Sequence, residues 1–414
     1  HPGVGLRLRP GAAGQRRFRH VTTAPPRAWP AWLASPFRPF FLLGPLYGVL
    51  LALTWTGLYL GLLPSGWLPD PLPLWHGHEM LFGFAAAMVS GFVLTALPSW
   101  AGTQELGARP LALLVALWLA GRLASWGAAW LPAGLVAVID GSYFLLFALF
   151  ALRGLGRVPD RRYLWLVPIV TAFYLAACAW HTGRFSADPG LAAWGLRLAL
   201  FSLLLLFSFV GGLLTPIFTS GAPGAAPFAF SPLLERAAVA TLLALALTDL
   251  GAGGPAVTGT CALLALAVHA ARMARWPRAA ALADPLLWAM HLGYAWLLVA
   301  LALRAAADLA GVVPPLLWLH VFTVGAFGSM KLSLMTRVAL RHTGRPLQVH
   351  AAMVFAYLGL SGAVLARLLA GIGLAEITLM SLSALAWAAC LATFVALHGS
   401  YLLQPSLPRL QPAG

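Results

Sequence analysis

Long apolar blocks without charge limit this chain more than any other feature. Residues 40–63 run without an Asp, Glu, Lys or Arg, and residues 111–120 repeat the pattern. A helix needs about 20 mainly apolar residues to cross a bilayer. Barrel strands would alternate with period two over about 10 residues, and no such alternation is present. The chain is 61% hydrophobic and 9% charged, against roughly 25% charged in soluble domains. A soluble chain of this composition could not cover its surface. The expected fold class is therefore an all-α integral membrane protein, a helical bundle whose main partner is the lipid bilayer.

Twelve transmembrane spans are predicted, near residues 39–62, 76–98, 110–130, 133–153, 162–181, 192–215, 232–250, 256–274, 284–305, 314–337, 347–370 and 374–402. Turn chemistry marks the breaks, as at Pro64-Ser65-Gly66, Asp188-Pro189-Gly190, Gly253-Gly254-Pro255 and Pro314-Pro315. Residues 1–34 are rich in Arg, Pro and Gly and read as a disordered cytoplasmic tail. Residues 35–403 form the twelve-span domain and 404–414 a short cytoplasmic tail. The first apolar block is too long for a signal-peptide core and reads as a retained span.

A net charge of +15 would suggest nucleic acid only if clustered on a soluble face. Here the basic residues lie mostly in short gaps, so no nucleic-acid partner is expected. Arg7, Arg9, Arg16, Arg17, Arg19, Arg27 and Arg38 precede the first span. Arg153, Arg157, Arg161 and Arg162 follow the fourth, Arg272, Arg275 and Arg278 the eighth, and Arg337, Arg341 and Arg345 the tenth. All fall on one side if every block spans. The positive-inside rule then puts both termini in the cytoplasm. Cys178, Cys261 and Cys390 sit singly in apolar blocks. That excludes a C-x-x-C-H haem attachment, a Cys-rich zinc site and an obvious disulfide framework.

Ionisable residues inside a bilayer are costly and default to functional candidates. His76, His78, His181 and His320 lie near the outer face, and Glu79 follows His78 directly. His269, His291 and His398 lie nearer the inner face. A plain hydrogen-bonded imidazole is the strongest alternative for His181, His269 and His398. It is weaker for His78, His291 and His320, because the starts of spans 2, 9 and 10 share Pro, then Leu, then Trp, then His. Spans 2 and 10 continue alike as His-x4-Gly-x4-Met, at His78, Gly83, Met88 and at His320, Gly325, Met330. The glycines let a helix or a flat ring approach. His76 and His78 diverge by about 200° on a regular helix, so one metal cannot take both unless the helix starts between them. Arg122 and Asp140 share a depth on adjacent spans and read as a neutralising pair, with a proton relay as the sharper alternative. Lys331, Arg337, Arg341 and Arg345 read as cytoplasmic topogenic charge that can also hold an anion. No P-loop, dinucleotide fingerprint or nucleophile elbow is present.

Several segments resemble the NnrS family: Pro36-Phe37-Arg38-Pro39-Phe40-Phe41, Trp75 through Phe84 with His76-Gly77-His78-Glu79-Met80, Trp118 through Arg122, His320 through Gly328, and Thr336-Arg337 with His342-Thr343-Gly344-Arg345-Pro346-Leu347. The resemblance covers residues 34–402. It implies a twelve-span bacterial inner-membrane protein that carries haem b and copper and is tied to nitric oxide in denitrification and nitrosative stress. It also implies His76, His78, His291 and His320 as haem or copper ligands; beside such a group Arg337 and Arg345 can hold a propionate by charge-assisted bonds, and Glu79 is a candidate proton donor. One departure is Leu213, where the family usually carries Arg. The function expected is binding or metabolism of nitric oxide, including its reduction with electrons from an unknown donor. The alternatives are a secondary transporter of a metal or metal–nitrosyl species and a non-catalytic haem sensor or complex subunit.

Overall fold

The computed structural model describes residues 29–69, 71–251, 253–278 and 281–408. The described residues form helices and loops and no strand. Twelve long helices follow in order: α1 Phe37–Tyr59, α2 Leu72–Ala101, α3 Ala108–Trp126, α4 Ala133–Leu155, α5 Arg161–Phe185, α6 Pro189–Ser220, α7 Pro232–Leu250, α8 Pro255–Ala274, α9 Pro285–Ala310, α10 Leu317–His342, α11 Ala351–Gly371 and α12 Glu376–Leu403.

Eleven of these are long and apolar enough to cross a membrane. The exception is α7, whose 19 residues include Glu235, Arg236 and Asp249. Packing neutralises its acids, Glu235 by Arg272 and Asp249 by Arg304 at 2.7 Å. Helix starts follow the expected chemistry. Pro opens α6, α7, α8 and α9 at a position where its missing N–H is not needed. Asp188 caps α6 by accepting from the Gly190 and Leu191 N–H groups at 2.9 and 3.0 Å.

Burial divides the bundle. The apolar stretches of α2, α6 and α10 are 89%, 78% and 78% buried, against 33–56% for the other spanning candidates. Those three form the centre. Sequence neighbours pack around them, and α12 closes the ring by lying along α1. Leu123, Val138, Leu247 and Phe355 stand exposed on the outer surface, which suits contact with lipid.

Two helices change winding at comparable points. Residues Glu79–Ala85 of α2 and Val321–Phe327 of α10 form π-helical turns, each starting one residue after a histidine, His78 and His320. A π-turn rotates the following face and is frequent at functional sites. In α2 the Gly83 carbonyl accepts a hydrogen bond from Trp118 Nε1 at 3.0 Å.

The predicted tails need adjustment. Residues 1–28, including His1, His20 and six of the tail arginines, lie outside the described residues. From Ala31 the chain is docked, because Ala31–Leu33 forms a single turn with Leu33 buried. Arg38 is not a loop charge. It is 3% exposed in the first turn of α1. Its Nη1 donates to the carbonyls of Leu402 and Gln404 at 3.0 and 2.6 Å, and its Nη2 to Ser406 Oγ at 2.8 Å. A cation there satisfies carbonyls that the end of α12 leaves unpaired. The Leu407 N–H also donates to the Thr343 carbonyl at 2.9 Å. The C-terminal segment is therefore held as far as Leu407.

Helices α5 and α6 approach backbone to backbone, and a Cβ at Gly195 would stand 2.7 Å from the Trp180 backbone nitrogen. Gly195→Leu should therefore destabilise the bundle by about 1–3 kcal/mol through overpacking. Gly141→Ala, with no atom within 4 Å of the new Cβ, should be neutral. Thermal unfolding in detergent checks the pair, and equal melting temperatures would refute the close approach.

Candidate functional site

The most polar part of the interior is an ionic cluster on α1–α5. Glu79 and Asp140 are each 0% exposed, His78 1% and Arg122 4%. Arg122 bridges the two carboxylates, through Nη1 to Glu79 Oε2 at 2.7 Å and through Nη2 to Asp140 Oδ1. Each unpaired ion would cost several kcal/mol in a low-dielectric interior, so one guanidinium shared by two carboxylates is the least the site requires. The expected Arg122–Asp140 pair is present, and Glu79 joins it.

The remaining oxygens are also occupied. Tyr47 OH donates to Glu79 Oε2 and Ser125 Oγ to Glu79 Oε1. Trp126 Nε1 donates to Tyr47 OH at 2.7 Å. His78 lies between the acids, with Nδ1 2.7 Å from Glu79 Oε1 and Nε2 3.1 Å from Asp140 Oδ2. His181 reaches the same Oδ2 through Nε2 at 3.0 Å. Trp180 stacks on His78 with ring centres 4.7 Å apart.

The second cluster lies between α1, α2, α10 and α11. Helix α2 is continuous through His76 and His78, so the two imidazoles diverge as their spacing predicts. His76 stacks on Trp55, with centres 4.1 Å apart and planes 28° apart. Its Nδ1 is buried without a partner. His320 donates from Nδ1 to the Leu316 carbonyl at 3.2 Å, and its Nε2 accepts from Arg367 Nη2 at 2.8 Å. His76, His320 and Arg367 lie within electrostatic range of one another.

The four histidines implied by resemblance thus do not converge. His78 belongs to the ionic cluster, and His76 and His320 to the second. His291 lies elsewhere. Its Nε2 is 3.0 Å from Thr219 Oγ1, and its ring meets Trp276 at 5.6 Å. Ser333 Oγ donates to the Leu286 carbonyl, which sets the register of antiparallel α9 and α10. At 1.5 Å per residue that register separates His291 and His320 by about 12 Å along the axes. One ion cannot bind both.

The basic residues also separate. Arg337 lies over Phe218 at 4.1 Å, next to Thr219, and so shares the end of α6 with His291. Arg345 lies over Tyr401 at 3.7 Å. Lys331 is not a cytoplasmic charge. It is 7% exposed in the middle of α10, with Nζ over Phe92 at 4.6 Å and Phe41 at 5.8 Å, and makes no ion pair among the described residues. The room expected at two glycines is filled by protein: Tyr47 and Arg122 at Gly83, Trp296 and Val364 at Gly325.

Two other histidines are hydrogen-bonded packing residues, as the plainer alternative expected. His269 bonds Tyr294 OH at 2.7 Å and the Ala238 carbonyl at 3.3 Å. His398 donates from Nδ1 to the Phe394 carbonyl at 3.2 Å. Beside His269, Arg272 pairs with Glu235, donates to the Ser208 carbonyl at 2.9 Å and packs against Gly212. A guanidinium therefore packs against the residue before Leu213.

His181 and Arg367 were not singled out from sequence as site residues. The shared outer depth of His181 and His78 was a signal for the first. An Arg inside the apolar block of α11 was a signal for the second.

Fold and site together define a multi-helix membrane protein with buried histidine and carboxylate clusters among its central helices. The chain matches the family model described as NnrS protein over residues 31–406. It belongs to that family. No curated protein matches it.

Arg122→Ala should be severe, because it leaves two buried carboxylates without their cation, a loss of about 3–5 kcal/mol. The variant is expected to accumulate poorly and melt early in detergent, with Arg122→Lys intermediate because one ammonium cannot span both acids. Wild-type melting of Arg122→Ala would show that the bridge is not structural.

Proposed function

We propose that this protein binds nitric oxide at a metal group held in the outer half of the membrane, the group being haem b with copper, the cofactors that the family resemblance implies. The observation that carries this reading is the pair His76 and His320, brought from two central helices to within electrostatic range of each other and of Arg367. Both rings suit a metal. His76 Nδ1 is buried and unpartnered. His320 anchors its Nδ1 hydrogen on a backbone carbonyl, which makes Nε2 the ligating atom, once Arg367 Nη2, which now donates to it at 2.8 Å, moves to an anionic group. Neutral imidazole suits both iron and copper. His76 and His320 would hold the metal, and Arg367 an anionic substituent such as a propionate.

When bound, ferrous haem supplies tight coordination of a small diatomic molecule. Nitric oxide is neutral and lipid-soluble, so a site among membrane helices meets it at high local concentration. Behind the pair, Ser125, Glu79 and Tyr47 form a hydroxyl–carboxylate chain that can hold or pass a proton at Glu79 Oε1. Reduction of nitric oxide, with electrons from an external donor, is the enzymatic extension of this reading.

The reduced spectrum of detergent-purified protein, recorded before and after anaerobic nitric oxide with iron and copper quantified, tests the reading. A b-type haem band that shifts is expected. His76→Ala and His320→Ala should lose most haem, whereas His398→Ala should keep it. Metal-free protein from cells well supplied with haem and copper would sink the proposal.

All twelve helices cross a bacterial inner membrane in this reading, with both termini cytoplasmic. A C-terminal fluorescent-protein fusion should therefore glow and a C-terminal alkaline phosphatase fusion should be inactive. The reverse result would invert the topology.

A further inference from the structure

We propose that His78, Asp140 and His181 form a separate site for a divalent transition-metal ion. The two imidazole Nε2 atoms converge on a single carboxylate oxygen, Asp140 Oδ2, at 3.1 and 3.0 Å. The three donor atoms lie within 4.8 Å of one another, all buried. Ligands about 2 Å from a tetrahedral ion stand about 3.3 Å apart, so modest separation of these atoms admits an ion between them. Two imidazoles and one carboxylate suit iron, zinc or manganese and leave positions open for water or a small ligand.

The surroundings are those of a supported ligand set. Asp140 spends Oδ1 on Arg122 and keeps Oδ2 for the histidines. Glu79 Oε1 holds His78 Nδ1 at 2.7 Å, which orients the ring and directs Nε2 to the ion. Such carboxylate–histidine–metal relays are a regular feature of metal sites.

The position of His181 gives the second argument. Glu79 and Asp140 carry two negative charges and Arg122 one positive, so a proton on His78, between the two acids, balances the cluster without an ion and is released when one binds. Arg122 already pairs both acids, so His181 is not needed to complete that bridge. Its place on the same oxygen as His78 is accounted for by ligation.

The site is also reachable. A small cavity lined by Pro69, Pro71, Trp75 and Arg184 meets both His78 and His181. A groove between α4 and α5, lined by Gly141, Cys178 and Phe185, ends on His181. Phe185 is 72% exposed and Val138, on the same groove, 67%, so this groove opens toward lipid. His181 stands between an outer opening and a lateral one.

The site does not depend on the haem reading and is tested apart from it. Full-length protein in detergent is stripped with a chelator, reloaded with Co²⁺, desalted and assayed for metal content and the visible Co²⁺ spectrum. Wild type and the His76→Ala/His320→Ala double variant should each keep a single equivalent with the same spectrum. His181→Gln, which leaves the Arg122 bridge intact, should lose it. Glu79→Gln should weaken binding about 10–100-fold by removing the support of His78. Wild-type melting temperature should also rise with added metal and fall with chelator. Equal Co²⁺ content in His181→Gln and wild type would overturn the proposal. So would a wild-type melting temperature indifferent to both metal and chelator, which would make the cluster a proton-bridged ion-pair network. Protein that lacks haem but binds Co²⁺ through His181 would sink the haem reading and leave this site standing.

Discussion

Arg122 holds one half of the bundle together. It reaches from α3 to a carboxylate on α2 and another on α4, and the second carboxylate carries a histidine from α5. Three helices thus meet at one guanidinium, and α5 joins them through Asp140. Packing between membrane helices has no hydrophobic drive of its own, since lipid tails are as apolar as leucine. Polar contacts that cannot be traded for water then fix which helices meet and at what register. The π-turn after His78 belongs to this arrangement, because it sets the face on which Gly83 meets Tyr47 and Arg122.

Depth was legible in the sequence, and lateral position was not. Block lengths and turn residues located the twelve helices to within a few residues. The shared depth of Arg122 and Asp140 identified their pairing, and the two-residue spacing of His76 and His78 foretold their divergence. Hydropathy says how far along a helix a residue lies. It does not say which non-neighbouring helix that residue meets. His181 and His78 share a depth, yet only packing brings them onto one oxygen. His291 resembled His320 by its Pro-Leu-Trp-His start, but α9 and α10 run antiparallel, so like starts lie at opposite ends.

Basic residues were hard to sort for a related reason. Counting arginines in gaps yields an expected orientation, but a gap count treats each charge as solvated. Arg38 ends up bonded to the carbonyls closing α12, and Lys331 lies between Phe41 and Phe92. Each sits within a few residues of a boundary or a charged run that made a topogenic reading natural. The distinction depends on what the long side chain can reach, a property of the folded bundle.

One helix serves both clusters. His76 turns toward α1, α10 and α11, and His78, half a turn on, toward α3, α4 and α5. The two imidazoles are therefore rigidly linked through a continuous stretch of α2, which lies deep in the bundle and cannot rotate without disturbing both. The two clusters are thereby held at a fixed separation by one shared element, whose charged side is pinned by Arg122.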